Sequence, residues 1–148
     1  MPKGALRFVP ATEDVAESLA DLRAAAMKPS LVALGRYDAQ RVRARLLDGF
    51  SAQDTTLVMD GERLAAFFVL QTRSDHLYLD HLYVHPDWQG HGIGSFMMDE
   101  VMQRSTKQAL PIRLMALKES PANAFYQGFG FRQTSETAYD THYERSPA

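Results

Sequence analysis

The stretch Leu82–Met98 reads Leu-Tyr-Val-His-Pro-Asp-Trp-Gln-Gly-His-Gly-Ile-Gly-Ser-Phe-Met-Met, and its reading decides the fold. A β-rich run ends at Val84. Three alternating glycines follow, Gly90, Gly92 and Gly94, and then Ile93, Phe96, Met97, Val101 and Met102 recur at helical spacing. Glycine lets the chain turn tightly and approach a ligand closely. The first N–H groups of a helix have no internal partner and sit at its positive end. Such a terminus holds a phosphate with backbone amides and needs no lysine. The spacing alone also suits a loop that simply requires small residues. Two familiar phosphate loops are excluded. Gly-Lys-Ser/Thr is absent, and Gly-x-Gly-x-Gly after antiparallel strands is the wrong setting for a dinucleotide fold.

Working upstream, Ala5–Val9 reads as a short first strand. Thr12 suits an N-cap with Glu13 and Asp14 in the first turn, and Val15, Leu19, Leu22 and Ala26 keep helical spacing. Lys28-Pro29 is expected to end that helix. Asp38 caps a second one, with Val42, Leu46 and Leu47 inward and Gly49 as its stop. Thr55–Met59, Arg63–Thr72 and His76–His85 predict an antiparallel meander, turned at Asp60-Gly61 and Ser74-Asp75. The apolar pairs Leu77/Leu79 and Leu82/Val84 are out of phase with each other. A bulge near Asp80-His81 would bring them to one face and splay the strand; the alternative is a strand buried on both sides.

Downstream, Pro111–Leu117 reads as a strand, and Ser120-Pro121 opens a helix that stops at Gly128–Gly130. Phe131–Thr134 and Ala138–Arg145 are two short strands. The order β-α-α-β-β-β-α-β-α-β-β defines a mixed α/β (α+β) domain.

A chain of 148 residues is about one domain, large enough to bury a core without staples. It has no cysteine, which excludes a disulfide framework, a thiolate zinc site and a cysteine nucleophile. The longest strongly apolar run, Leu64–Leu70, is too short to span a bilayer, and Met1-Pro2-Lys3-Gly4 leads into no signal-peptide core. The cytosol is the expected place, with no membrane partner. Net charge runs from +2 over residues 1–50 to −6 over 51–100 and +2 over 101–148, so no nucleic-acid face is expected. Arg36, Arg41, Arg43 and Arg45 form the one basic stripe and read as a solvated helix face.

Gln89-x-x-Gly92-x-Gly94 after Leu82-Tyr83-Val84-His85-Pro86 resembles the acetyl-CoA motif of the Gcn5-related N-acetyltransferase (GNAT) family. A second motif agrees: Phe125-Tyr126-Gln127-Gly128-Phe129-Gly130-Phe131 is similar to the family's Phe-Tyr-x-x-x-Gly-Phe. The element order matches too, so the resemblance covers nearly the whole chain, 1–148, as a single domain. It implies a mostly antiparallel sheet of about seven strands with about four helices, and a strand splayed at the acetyl-CoA site. It implies that Gln89, Gly90, His91, Gly92, Ile93, Gly94 and Ser95 wrap the CoA pyrophosphate. Leu82, Tyr83 and Val84 would pair with the pantetheine arm like an added strand, with the thioester carbonyl near Val84. Tyr126 falls where the family has its general acid; a phenol of pKa about 10 can protonate a departing thiolate. Taken alone, Tyr126 reads rather as a core aromatic with a bonded hydroxyl.

Many members carry Asn six or seven residues before the tyrosine, where this chain has Ser120 and Glu119. Asn123 shares a helix face with Tyr126 and is the candidate replacement at the pantetheine. For the base that deprotonates the amine the candidates are Asp80 and His81, with Tyr78 and His85 behind them, or a water chain. His81 and His85 lie about 13 Å apart on a strand, which excludes a shared metal. The residues implied are therefore catalytic Tyr126, His81 and Asp80, with no metal. The acceptor is expected to be a small-molecule primary amine, with a protein lysine or N-terminus second and a non-catalytic acyl-CoA sensor third. Met27, Leu31, Leu34, Tyr37 and Tyr139 could line its pocket or belong to the core. The acidity around Asp75, Asp80 and Asp87 favours a cationic amine. The C-terminal strands offer an edge for a homodimer.

Overall fold

The structure is a computed structural model that describes residues 6–147. The N-terminal tetrapeptide and Ala5 lie outside the described residues. Seven strands and four α-helices follow the expected order: β1 (Leu6–Pro10), α1 (Ala16–Ala33), α2 (Ala39–Leu47), β2 (Thr55–Asp60), β3 (Arg63–Thr72), β4 (Leu77–Val84), α3 (Ile93–Gln108), β5 (Ile112–Leu117), α4 (Ala122–Gly128), β6 (Arg132–Glu136) and β7 (Asp140–Arg145). The sheet is open and mixed, in the order β1-β2-β3-β4-β5-β7-β6. Its parallel pair is β4 with β5, in register at Leu77 with Ile112 and Tyr78 with Arg113 only. Leu79 and Asp80 fall outside that ladder. No helix among the described residues is long and apolar enough to cross a membrane.

The chain forms two compact units. Among the described residues, one holds Leu6–Val69 together with His81–Met97; the other holds Leu70–Asp80 and Met98–Pro147. The first has a core of Leu19, Ala20, Leu22, Leu46, Leu57, Phe67 and Val69. Each buried leucine there contributes about 1.5–3 kcal/mol. Phe8 stacks on Phe96 at 4.5 Å and meets Phe68 edge-on. In the second unit the alternation of β5 buries Ile112, Leu114 and Ala116, and Thr141 and Tyr143 of β7 are buried as well.

Helix α1 departs from its expected end. It runs through Pro29 to Ala33 and stops at Gly35. Pro29 and Ala25, four residues earlier, both lie on the exposed face, so the carbonyl that loses its donor can meet water. Gly35 has φ +68°, its N–H bonds the Val32 carbonyl, and the Arg36 N–H bonds that of Leu31. These two bonds around a left-handed glycine form the Schellman stop. Asp38 caps α2 as expected, its carboxylate accepting from the Arg41 N–H at 3.2 Å. The β2–β3 hairpin pairs Asp60 with Arg63, so its loop is Gly61-Glu62, with Gly61 at φ +61°.

The expected bulge in β4 is not what interrupts its apolar pattern. Burial alternates through Leu77, Leu79 and His81, and the His81 and Tyr83 rings both lie against Phe67, at 6.3 and 5.8 Å. The two-residue period holds. A histidine occupies an inward position, and Leu82 and Val84 take the opposite, half-buried face.

Candidate active site

The glycine loop belongs to the first unit. β4 ends at Val84, His85 caps a turn of 3₁₀-helix over Pro86–Trp88, and Gln89–Gly92 lead into α3. Gly90 and Gly92 adopt φ +83° and +77°, a conformation that side chains with a Cβ rarely take. A Cβ at Gly90 would meet nothing within 4 Å, so space is open in front of the loop. Gln89, Gly90, His91, Gly92 and Ser95 are exposed, while Ile93 is buried beneath them. No acidic residue occupies the first turn of α3. The loop thus presents helix-terminal N–H groups to solvent with no carboxylate on that turn to compete for them.

Three residues fix the loop. Gln89 donates from Nε2 to the Val84 carbonyl at 3.2 Å. The His85 N–H bonds the Ala65 carbonyl, and its Nδ1 accepts from the Asp87 N–H at 3.0 Å. Trp88 is 2% exposed, donates from Nε1 to Asp60 at 3.2 Å and lies under the Arg63 guanidinium at 4.3 Å. This anchor escaped the sequence reading, although the chain's one tryptophan directly upstream of the glycines was a signal.

His81 also lies in the first unit, 4% exposed, with Arg45 Nη1 at 3.3 Å from its Nε2. A guanidinium only donates, so Nε2 is the nitrogen that accepts in this contact. The lone pair a base would use is therefore turned to a cation. The basic stripe proves partly structural, since Arg43 pairs with Glu17 and Asp21 of α1.

The remaining predicted residues lie in the second unit. Tyr126 is nearly buried on α4, its ring edge-on to Phe125 at 5.3 Å and Phe131 at 5.6 Å. The Phe129 and Phe131 N–H groups both bond the Tyr126 carbonyl, which closes the end of α4 before β6. Asn123 donates from Nδ2 to the Leu117 and Ser120 carbonyls at 2.9 and 3.0 Å, and its Oδ1 accepts from the Tyr143 hydroxyl at 2.8 Å. Its amide ties the end of β5 and the middle of β7 to α4, which favours a bracing role over contact with pantetheine. Glu119, where the family's asparagine is often found, has φ +66°. Asparagine tolerates that conformation better than glutamate. Asp80 is half-buried, with Gln71 Nε2 at 3.5 Å. Of the proposed pocket residues, Leu31 is core, whereas Leu34 and Tyr139 are exposed. Among the described residues no cluster of three or more His, Asp or Glu could hold a metal ion.

Residues 26–146 match the sequence pattern of the acetyltransferase (GNAT) domain. The chain belongs to that family. Over 74 residues, half of its length, it is 32% identical to the human cysteine-rich protein 2-binding protein, of which it spans only 9%. Solved GNAT structures share the fold at low identity. The PaiA N-acetyltransferase of Thermoplasma acidophilum, in complex with coenzyme A, superposes with TM-score 0.75 at 16% identity, over 95% of this chain and 98% of that one. The ribosomal-protein-S18-alanine N-acetyltransferase of Escherichia coli gives 0.73 at 14%, over 97% and 94%. The seven-stranded sheet with four helices is therefore the GNAT fold.

Proposed function

We propose that this chain works as one acetyl-CoA-dependent N-acetyltransferase domain, moving the acetyl group to the primary amine of a small molecule by direct attack. The observation that carries the reading is the exposed glycine loop, with two left-handed glycines opening α3 and open space in front of Gly90. Its amides suit a pyrophosphate, and the exposed edge of the motif suits a ligand as extended as CoA. The amine nitrogen attacks the thioester carbonyl, the C–S bond breaks, and the thiolate takes a proton. Tyr126 is assigned that donation by its place in the second motif. The amine's own proton goes to Asp80 directly or through water. His81 is better suited to orienting its surroundings than to accepting a proton, because its Nε2 faces Arg45. A protein N-terminus is the second reading, supported by the likeness to an alanine N-acetyltransferase.

The test combines acetyl-CoA binding with free-thiol release across an amine panel. Saturation with acetyl-CoA at 100 times its Kd stabilises the fold by about 2.7 kcal/mol. No stabilisation at millimolar acetyl-CoA contradicts the cofactor assignment. Stabilisation without thiol release on any amine supports an acyl-CoA sensor instead.

A further inference from the structure

Arg23 of α1 is an unusual residue for the interior of the first unit. It is 9% exposed, and its partners are all neutral. Nη1 donates to the Val42 carbonyl at 2.7 Å, Nε donates to the Tyr83 hydroxyl at 3.3 Å, and the guanidinium lies 5.6 Å from the centre of the Tyr83 ring. Among the described residues it makes no ion pair. A buried charge normally has a carboxylate beside it, because neutral partners offset only part of its lost hydration. The carboxylates nearest in sequence are engaged elsewhere: Glu17 and Asp21 are held by Arg43.

Tyr83 completes the arrangement. Its oxygen accepts from Arg23, so its own O–H is left to donate to another group. No acceptor for it exists among the described residues. Tyr83 is half-buried on β4, one residue before Val84, where the amine is to meet the thioester. The place therefore offers a phenol O–H backed by a guanidinium, one donor beside one fixed positive charge. That chemistry recognises an oxyanion and repels an ammonium.

We propose that Arg23 and Tyr83 form an oxyanion subsite for the acceptor, so that the preferred amine carries a carboxylate, as an amino acid does. This rests on the acetyltransferase reading above. It narrows the acceptor class, adding a carboxylate to the cationic amine that the acidity near Asp75, Asp80 and Asp87 favours. It also separates a free amino acid from a peptide N-terminus, whose first carbonyl is uncharged.

The experiment measures kcat/KM for L-amino acids, each beside its amide and its decarboxylated amine, in the wild type, Tyr83→Phe and Arg23→Gln. Binding of acetyl-CoA is titrated separately in each protein. The wild type is expected to prefer the carboxylate over the amide by about ten- to a hundredfold, the usual effect of a charge-assisted hydrogen bond. Tyr83→Phe keeps the ring against Phe67 and is expected to cut that preference about tenfold, mainly through KM. Arg23→Gln cuts it further, and Tyr83→Phe carries the test if the clamp to Val42 proves necessary for folding. Equal use of all three acceptor forms, preference for the decarboxylated amine, or use of none while acetyl-CoA binds overturns the subsite. Failure of acetyl-CoA to bind the wild type overturns the acetyltransferase reading instead.

Discussion

Gly90→Ala separates the backbone cost of the glycine loop from its function. Gly90 has φ +83° and Gly35 has φ +68°, and in both cases an added Cβ meets nothing within 4 Å. Neither substitution therefore introduces a clash. Both force alanine into the left-handed region, at about 1–2 kcal/mol. The stiffer unfolded chain returns about 0.4–1 kcal/mol, leaving a net loss near 1 kcal/mol. For a domain of this size that lowers Tm by about 2–4 °C. Gly35 ends α1 and has no part in the phosphate cradle, so it is the matched control. Only at Gly90 does the methyl enter the space in front of the loop and turn its amides. Losing one charge-assisted bond there weakens CoA by about ten- to a hundredfold. The assays are thermal unfolding and calorimetric titration with CoA. Equal losses of Tm with CoA affinity reduced only in Gly90→Ala are expected. Wild-type affinity in Gly90→Ala would refute the loop assignment.

Four further outcomes follow from particular residues. Ala109 ends α3 with φ +56°, its N–H and that of Leu110 closing bonds to Thr106 and Ser105, so Ala109→Gly should raise stability by about 1 kcal/mol in thermal unfolding. Asp60→Ala removes the acceptor of Trp88 Nε1 and should cost about 1–3 kcal/mol, shift the emission of the single tryptophan and weaken CoA binding. Tyr126→Phe should lower kcat by about 10²–10⁴ with CoA affinity little changed, which pre-steady-state thiol release resolves. A hydrogen bond from His76 holds the exposed Asp75 carboxyl below its usual range. The stability it adds is present above the ordinary carboxylate pKa and lost as pH falls through the lowered one. In His76→Ala, NMR titration should find Asp75 moved up.

The element order was legible because each boundary carried its own chemistry: Asp38 before α2, glycine in the β2–β3 turn, glycines before α3, Pro121 before α4. Proline misled at the end of α1. A terminal turn tolerates Pro29 when the orphaned carbonyl faces water, and nothing local states which face that is. The apparent phase change in β4 came from reading polarity as orientation, since His81 is polar yet inward. Both chemistry-bearing motifs were visible as strings of residues. What sequence could not supply was partnership across long separations: Trp88 with Asp60, Arg23 with Tyr83, Asn123 with Tyr143. Those contacts decide which groups remain available for a ligand. They move Asn123 toward bracing, His81 away from proton acceptance, and Arg23 into view.

Mass spectrometry of the acceptor after incubation with isotopically labelled acetyl-CoA and an amine panel tests the central claim most directly. The account predicts one labelled acetyl group on the amine nitrogen, an equal amount of free CoA, and no label retained on the protein. Acetyl-CoA that binds yet leaves every amine unlabelled, or label that accumulates on the protein as a covalent intermediate, would contradict it.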